Sequence, residues 1–371
     1  MRIAIDARKL HDFGIGTYVR NLVTHLARLD RDTEYVLICR PDDVGLAGEL
    51  GENFRGVATG AAPYSVAEQL LVPRVVSRER VDLFHTPHYV LPPLTRGRAV
   101  VTIHDCIHLM FPQYLPNRLA HAYARTFMWT AAHRSDRVLT VSEASKRDIL
   151  RFFDIPEQKI SVIYNAIDER FGVAPPEDEV HRVRERFQLH DEFVLYAGNI
   201  KPHKNLERLI EAFRQVREEG LDHLTLLIIG DEISKYATLR RAVHKHKLHK
   251  HVRFFGYVPH QTLAVLYRLA TVFVFPSLYE GFGLPPLEAM ASGTPVVTSN
   301  VSSLPEVVGE AAVLIDPHDP AAIAAGLRQV ITNPALRAEL VAKGLARARD
   351  FSWPESVRRI RAIYGVVAGE V

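Results

Sequence analysis

Short runs of β-branched, aliphatic and aromatic residues recur along this chain, and helix-length amphipathic segments separate them. The runs are apolar on both faces, which is typical of parallel strands that are covered by helices on each side. The pattern predicts an α/β protein built on doubly wound parallel sheets, whose ligands bind beyond the carboxyl ends of the strands. The predicted strands, six in each half of the chain, begin at Arg2, Tyr35, Leu83, Ala99, Arg137, Ile160, Phe193, Thr225, Val252, Val272, Pro295 and Ala312.

The length of 371 residues suits two domains, since a single domain holds about 100–200 residues. A polar and charged stretch at 168–190 contains Pro175-Pro176, and we interpret it as the linker. We therefore predict an N-terminal domain over 1–172 and a C-terminal domain over 173–351. The last segment, 352–371, has helical periodicity, and we expect this helix to cross back to the N-terminal domain.

Composition excludes several classes of protein. A hydrophobic fraction of 47% excludes a largely disordered chain, and a net charge of +3 argues against an obligate nucleic-acid binder. The two cysteines, Cys39 and Cys106, cannot form a disulfide framework. The sequence shows neither a signal peptide nor a transmembrane segment, so we expect a cytoplasmic protein, at most resting on the inner face of a membrane.

The segment from Phe275 to Val297 is the most informative stretch of the chain. It follows a predicted strand, turns through Gly281-Phe282-Gly283 and opens a helix near Pro285. Two glycines let a ligand approach the backbone, and a helix N-terminus favours an anion such as a diphosphate. Glu280 lies before this turn and Glu288 in the expected first helical turn, where carboxylates suit the hydroxyls of a hexose and a ribose.

The string E-G-F-G-L-P-P-L-E resembles the E-x7-E motif of retaining glycosyltransferases of the GT-B fold, within the bacterial "glycosyl transferases group 1" family. The resemblance spans nearly the whole chain through the N-terminal glycine loop, IHD, TVSEASKRDI, YAGNIKPHKN, IIGD, FFGYV and ASGTPVV. It implies two Rossmann-like domains with a cleft between them. Residues 1–172 would bind the acceptor, and residues 173–351 would bind a nucleotide-sugar donor.

The resemblance also implies roles in donor binding for the residues of this motif. Glu280 would bind hydroxyls of the donor sugar, and Glu288 would bind the ribose. The amides that would hold the sugar and the β-phosphate belong to Gly281, Phe282, Gly283 and Leu284.

A second donor loop is Y-A-G-N-I-K-P-H-K-N, where relatives use a basic pair to neutralise the leaving diphosphate. Lys204 matches the family's lysine. Asn199 occupies the position that is often Arg in relatives, so either Lys201 supplies the second charge or Lys204 acts alone. A lysine charge on the diphosphate gives the electrostatic help that a metal gives elsewhere, so no essential metal and no other cofactor are expected.

Three further positions match the family's pattern. Gly16, in a glycine loop before a helix that we expect to begin near Tyr18, would border the donor phosphates and the acceptor. His104, after the fourth predicted strand, would reach the donor sugar, and Asp105 would either fix its tautomer or cap the following turn. The FFGYV segment would clasp the nucleotide base through its backbone at Tyr257 and Val258.

Other conspicuous residues have ordinary structural interpretations. Ser142 suits a helix cap. His85 and His88 either have a structural role or line the acceptor side of the site. The His- and Lys-rich stretch 244–251 lacks the accompanying ligands of a metal site and is expected to face solvent. The amphipathic segment 111–134 either packs on its own sheet or rests on anionic lipid.

The function that follows is transfer of a hexose from a nucleotide diphosphosugar to an acceptor hydroxyl, with retention of the anomeric configuration. The favoured case is mannose from GDP-mannose, moved to a carbohydrate or a lipid-linked glycan in polysaccharide, O-antigen or glycolipid assembly; UDP-glucose and ADP-sugars stay open. The alternatives are a GT-B nucleotide-sugar epimerase and a non-catalytic nucleotide-sugar-binding protein. An NAD enzyme is disfavoured, because the third glycine of its fingerprint is missing.

Overall fold

The computed structural model describes residues 1–12, 14–189, 192–230 and 236–369. Phe13 of the N-terminal glycine loop and Asp231 of the IIGD motif lie outside them. The chain forms two compact units, of which the first contains the chain up to Asn165 and again from Ser352 onward. The second unit is Ala166–Phe351, so the division precedes the boundary expected after residue 172.

The first unit is built on one sheet, and every strand pair in it is parallel. Its strand order is β3-β2-β1-β4-β5-β6-β7, so the order reverses between β1 and β4. The strands described in this unit are β1 (Arg2–Asp6), β2 (Glu34–Cys39), β3 (Phe54–Ala58), β4 (Leu83–Thr86), β5 (Arg98–Thr102), β6 (Arg137–Thr140) and β7 (Ile160–Val162).

One of these strands, β3, was missing from the six strands predicted for this half of the chain. Its sequence, FRGVA, buries only Phe54 and Val57 fully, because β3 pairs with β2 at the edge of the sheet. Gly56 lies against the backbone of Val44, where a Cβ atom would be 2.4 Å from the carbonyl oxygen. An edge strand of this kind lacks the continuous apolar run that reveals central parallel strands.

Helices cover the sheet of the first unit, and side-chain caps begin three of them. Ser65, Asn117 and Ser142 each accept a hydrogen bond from an amide three residues ahead, which confirms the capping role predicted for Ser142. The helices before the unit boundary are α1 (Ile15–Leu29), α2 (Leu46–Leu50), α3 (Val66–Arg78), α4 (Ile107–Met110), α5 (Arg118–Arg134) and α6 (Glu143–Phe152).

The second unit repeats the same plan, and its strands match the six predicted runs. The pairs are parallel and the order is β10-β9-β8-β11-β12-β13, so the reversal lies between β8 and β11. The strands are β8 (Phe193–Ala197), β9 (Thr225–Ile229), β10 (Val252–Phe255), β11 (Val272–Phe275), β12 (Val296–Ser299) and β13 (Ala312–Ile315).

The helices described in the second unit begin inside the stretch that we interpreted as a linker. Residues 177–187 are helical, so that interpretation was wrong for them. Three acidic residues occupy the first turn and two arginines the last, an arrangement that complements the helix dipole. The helices are α7 (Glu177–Phe187), α8 (Leu206–Glu218), α9 (Ala237–Lys245), α10 (His260–Leu269), α11 (Leu284–Ala291), α12 (Leu304–Val308), α13 (Pro320–Thr332) and α14 (Pro334–Ala348).

The last helix, α15 (Trp353–Ala368), belongs to the first unit and packs against α1. Its Tyr364 hydroxyl is 2.6 Å from Nδ1 of His85, and Ser356 donates a hydrogen bond to the carbonyl of Tyr164. These buried polar contacts fix the helix on the sheet. Within the described residues, no helix combines the length and the apolar character needed to span a bilayer.

Candidate active site

The reversal of strand order in the second unit brings two distant loops together. β8 and β11 are neighbours in the sheet, and a loop leaves the carboxyl end of each. The first loop, 198–205, carries Lys204, and the second, 276–283, carries Glu280. In doubly wound sheets this reversal is where ligands bind.

Lys204 and Glu280 form an ion pair at this position. Nζ of Lys204 lies 2.5 Å from Oε1 of Glu280, and the two side chains are only 11% and 13% exposed. The same ammonium group lies 5.0 Å from the centre of the Phe275 ring. The structure thus brings together the lysine and the first glutamate of the two predicted donor motifs, with their charges neutralising each other.

The loop after β8 is fixed by a residue that the sequence reasoning did not single out. Asn205 adopts a left-handed conformation, with φ of 64°, and its Nδ2 atom donates to the carbonyls of Pro276 and Pro317 at 3.0 and 2.7 Å. These bonds tie the lysine loop to the glutamate loop. An Asn directly before a helix was the available signal, since Asn tolerates this conformation.

Two further polar residues of the lysine loop, Asn199 and Lys201, lie away from the ion pair. Lys201 is exposed, whereas Lys204 is buried against Glu280. Asn199 has a buried Oδ1 atom without a hydrogen-bond partner, and its backbone carbonyl accepts a bond from the Tyr196 hydroxyl at 3.0 Å. Of the two lysines in this loop, only Lys204 lies at the glutamate.

The backbone of Glu280 is held from the loop before α12. The Ser302 hydroxyl accepts a hydrogen bond from the Glu280 amide at 3.1 Å and lies 2.6 Å from its carbonyl. Ser303 contacts the carbonyls of Glu280 and Phe282 at 2.9 and 2.7 Å. Sequence reasoning missed both serines, which lie about twenty residues beyond the motif they support.

The glycine turn depends on Gly283, whose φ is 112°. A Cβ atom there would also lie 2.8 Å from Cδ2 of Leu304, so a larger residue would adopt an unfavourable backbone conformation and displace this side chain. The helix α11 begins directly after it at Leu284. Pro285 and Pro286 have no N–H group, so few amides of the first helical turn can reach an anion. The amides from Gly281 to Leu284 precede these prolines, and their role in donor binding stays a prediction.

Glu288 is the fifth residue of α11 and thus lies in the second turn, not in the first as predicted. Its Oε2 atom accepts a hydrogen bond from the buried hydroxyl of Tyr267 at 3.0 Å. Burial raises the pKa of Glu288 to about 7, the Tyr267 bond lowers it, and the negative charge of Asp168 raises it. This carboxyl group therefore changes its charge near neutral pH.

The predicted base-clasping segment includes the last two residues of β10 and the three residues after it. Tyr257 is exposed and Val258 is buried. Neither residue contacts the Lys204–Glu280 pair through a described hydrogen bond, so their role in donor binding stays a prediction.

In the first unit, Gly16 lies inside α1, which begins at Ile15, three residues before the expected start. A Cβ atom on Gly16 would lie 2.5 Å from the carbonyl oxygen of Leu10, so only glycine fits. Gly14, directly before the helix, has φ of 66°. The turn between β1 and α1 thus needs both glycines, for different steric reasons.

His104 follows β5 at the carboxyl edge of the first sheet. Its Nε2 atom lies 2.9 Å from the carbonyl of Pro87, and its ring meets the Tyr18 ring edge-on at 4.9 Å. Burial lowers its pKa, so the ring is neutral at pH 7, with the proton on Nε2 because a carbonyl can only accept. The Asp105 carboxylate accepts a hydrogen bond from the Ile107 amide at 2.9 Å. Of the two roles predicted for Asp105, this contact corresponds to capping the following turn.

The two other histidines at this edge are built into the fold. His85 is buried between the hydroxyls of Tyr364 and Thr102, at 2.6 and 2.9 Å. His88 is also buried, and its Nδ1 atom accepts from the Val90 amide at 3.2 Å. This environment favours the structural interpretation over a role in binding the acceptor.

Among the described residues, Asp6, Glu68 and His88 form the one group whose side-chain atoms are close enough to hold a metal ion. The guanidinium of Arg8 already lies between the carboxylates, 2.5 Å from Asp6 and 2.6 Å from Glu68. Burial opposes ionisation of Asp6, but Arg8 holds the pKa of Asp6 well below its usual range. Arg8 thus provides the positive charge that a metal would otherwise supply.

Comparison with known proteins agrees with this arrangement. Residues 177–347 match the family model described as Glycosyl transferases group 1, and residues 14–171 match Glycosyltransferase Family 4. Over 272 residues the chain is 36% identical to an Escherichia coli protein named O-antigen chain mannosyltransferase B. That alignment covers 73% of this chain and 71% of the relative.

Solved structures resemble the whole chain. Sucrose-phosphate synthase from Thermosynechococcus elongatus superposes with a TM-score of 0.80 at 22% identity, covering 100% of both chains. Anabaena HepE, solved with UDP and glucose, gives a TM-score of 0.79 at 19% identity, covering 99% of this chain and 100% of that one. The chain therefore has the GT-B fold and belongs to the glycosyl transferases group 1 family.

Proposed function

We propose that this protein transfers a hexose from a nucleotide diphosphosugar to an acceptor hydroxyl, with retention of the anomeric configuration. The observation that carries the proposal is the Lys204–Glu280 pair at the carboxyl ends of β8 and β11. A lysine suits a diphosphate, and a carboxylate suits the hydroxyls of the sugar attached to it. The two groups thus match the two halves of one donor molecule.

The donor would bind to the second unit through four kinds of contact. Lys204 meets the diphosphate, while the amides from Gly281 to Leu284 hold the sugar and the β-phosphate. Glu280 accepts from sugar hydroxyls and Glu288 from the ribose. Positive charge from Lys204 and from the α11 N-terminus stabilises the leaving diphosphate, so we propose that no divalent metal is essential.

The first unit would bind the acceptor and supply His104. Because Nε2 is bound to the Pro87 carbonyl, Nδ1 is the nitrogen that can accept a hydrogen bond from a sugar hydroxyl. In the proposed front-face reaction, the bond from the anomeric carbon to the phosphate oxygen breaks and the acceptor oxygen bonds to that carbon on the same face. The acceptor proton passes to the leaving phosphate.

For the donor we propose mannose from GDP-mannose, used in polysaccharide, O-antigen or glycolipid assembly. The name of the 36% identical relative supports this choice. A thermal-shift panel of GDP, UDP, ADP and their sugars tests it, because a ligand that binds the folded state raises the melting temperature. The largest shift should come from GDP-mannose; a larger shift with UDP-glucose or an ADP-sugar would contradict the choice.

The site itself is tested by a pair of lysine variants in one loop. Lys204→Ala should lower kcat/KM by about 100-fold or more, because it removes a charge contact to the leaving group. Lys201→Ala is the matched control, since this exposed lysine lies three residues away, and it should retain most activity. Equal losses in both variants would contradict the assignment of Lys204.

Two rival functions predict different products. A GT-B nucleotide-sugar epimerase would change the donor in the absence of any acceptor, which NMR of the donor alone would detect. A non-catalytic binding protein would give a melting shift without turnover. We expect neither. The proposed reaction consumes the donor only when an acceptor is present, and the presence of both Lys204 and Glu280 argues for turnover.

We also propose that the first unit rests on an anionic membrane at its cytoplasmic face, where a lipid-linked glycan acceptor would be reached. Val66 of α3 is 82% exposed and Leu119 of α5 is 81% exposed. The two helices are neighbours, since Gln69 donates to the Tyr123 hydroxyl at 3.4 Å. Exposed apolar and basic side chains suit anionic lipid, and the exposed basic residues of α5 include Arg118 and Arg125.

Co-sedimentation with vesicles tests this membrane contact. Vesicles that contain phosphatidylglycerol should bind the protein, and Leu119→Ser should weaken the binding. Absence of binding to anionic vesicles at low salt would contradict the proposal.

A further inference from the structure

Tyr267 is a buried residue whose hydroxyl contacts Glu288, the second glutamate of the donor motif. It lies on α10 with no exposed surface, and its hydroxyl is 3.0 Å from Oε2 of Glu288. Glu288 is only half-buried. A ligand can therefore reach Glu288, but it cannot reach the tyrosine.

The tyrosine is fixed on several sides. Its ring meets the rings of Phe171 and Phe273 edge-on, at 5.8 and 5.2 Å, and its backbone carbonyl accepts a hydrogen bond from the Thr294 hydroxyl at 2.5 Å. Burial raises the pKa of Tyr267 well above its usual value, so the hydroxyl stays protonated and donates to Glu288. The orientation of the Glu288 carboxyl group is thereby set by a rigid neighbour.

A carboxylate has two oxygens with about four acceptor positions between them. Tyr267 occupies one acceptor position on Oε2. Both positions on Oε1 and the second position on Oε2 are not used by Tyr267. Two adjacent hydroxyls on one ring can use such a pair of oxygens together. A freely rotating carboxylate would give up conformational entropy to do the same.

We propose that Tyr267 is a positioning residue that orients Glu288 for the two adjacent hydroxyls of a ribose and so makes donor binding selective for ribonucleotides. The inference rests on the proposed function, in which Glu288 binds the ribose. Tyr267 itself makes no contact with the donor. Its effect on binding passes through the Glu288 carboxyl group.

Other ionisable groups near this carboxyl group bear on its charge. Asp168 raises the pKa of Glu288 through its negative charge, and Asp168 is itself paired with Arg170 at 2.5 Å. His260, at the start of α10, acts electrostatically on Asp168. The Tyr267 bond is the interaction that favours the charged form, which is the form able to accept from both ribose hydroxyls.

The test is Tyr267→Phe, which keeps the ring and removes the hydroxyl. Calorimetry would measure Kd for GDP against 2′-deoxy-GDP and for UDP against 2′-deoxy-UDP. For the nucleotide that binds more tightly, we expect the preference for the ribose form to fall by about threefold to tenfold. This is less than the loss of a direct hydrogen bond to a charged group, because Tyr267 acts only through Glu288. The donor KM should rise while kcat changes little, because the ribose is held equally in the ground and transition states.

A pH profile gives a readout that a packing role would not change. Loss of the Tyr267 hydroxyl raises the pKa of Glu288 further, so the decline of nucleotide affinity at low pH should begin at higher pH in the variant. Tyr364→Phe is the matched control, since this fully buried tyrosine bonds to His85 in the other unit. That control should leave the ribose preference unchanged.

The outcomes separate the inference from the proposed function. An unchanged ribose preference and an unchanged pH profile in folded Tyr267→Phe would overturn the positioning role. Glu288→Gln serves as the second variant. If it also left the ribose preference unchanged, the assignment of Glu288 to the ribose would fail, whatever Tyr267 does.

Discussion

The ion pair between Lys204 and Glu280 predicts an unusual effect of removing the glutamate. In the unliganded protein each group is the partner of the other, at 2.5 Å. A nucleoside diphosphate without its sugar needs Lys204 but offers nothing to Glu280. Binding of GDP or UDP must therefore weaken the pair without compensation. Glu280→Gln should bind the bare nucleotide more tightly while losing sugar transfer.

The size of this effect follows from the burial of the pair. A protected hydrogen bond to a charged group contributes about 1.5–3 kcal/mol, and an exposed ion pair contributes about 0–1 kcal/mol. Because both side chains are mostly but not fully buried, about 1.5 kcal/mol is reasonable. That value corresponds to about tenfold tighter binding of the bare nucleotide.

Calorimetry with GDP and UDP at fixed salt measures the effect. The control is the double variant Lys204→Ala/Glu280→Gln, in which the gain should disappear because the lysine that was released is gone. Unchanged or weaker nucleotide binding by Glu280→Gln would refute the reasoning. Equal gains with and without Lys204 would refute it as well.

Four further predictions concern pH and stability. Because the pKa of Glu288 is about 7, nucleotide affinity should fall by up to about tenfold for each pH unit below pH 7. Calorimetry between pH 5.5 and pH 8, at about half-unit steps, would measure this dependence. A flat profile would contradict it. The raised pKa also means that Glu288 favours folding at low pH and that this contribution is lost as pH rises through about 7. The melting temperature of the unliganded protein should therefore fall as pH rises, whereas nucleotide affinity should increase. Gly16→Ala should destabilise the fold by about 1–3 kcal/mol, since its Cβ would lie 2.5 Å from the Leu10 carbonyl. Denaturant unfolding should show a smaller loss for Gly14→Ala, where no atom lies within 4 Å of the added Cβ. Asn205→Ala leaves two buried carbonyls unpaired and should cost about 1–3 kcal/mol with a loss of donor affinity; an unchanged unfolding midpoint would count against this role.

The sequence alone predicts most of the fold, because central parallel strands carry continuous apolar runs. All six strands of the second unit and the overall α/β class follow from that pattern. The edge strand β3 was missed because it is half-exposed and contains Gly56. The charges of α7 resembled those of a linker. The helical spacing of Val180, Val183 and Phe187 was the available signal, and it was outweighed by the charged residues around it.

The candidate site is only partly predictable. The resemblance to the family singled out Lys204 and Glu280, and strand order explains why their loops meet. Their direct pairing is a matter of side-chain packing, which no motif spacing reveals. Ser302 and Tyr267 support the site through contacts with residues about twenty positions away, so local patterns could not identify them.

The most direct test of the central claim is the reaction itself. Proton NMR would follow the anomeric signal of the preferred nucleotide sugar in the presence of a mannose-terminated oligosaccharide, for the wild type and Glu280→Ala. We predict one new glycosidic linkage with the donor's anomeric configuration retained, and a loss of about 100-fold or more in the variant. A linkage of inverted configuration, or near wild-type turnover by Glu280→Ala, would contradict the account.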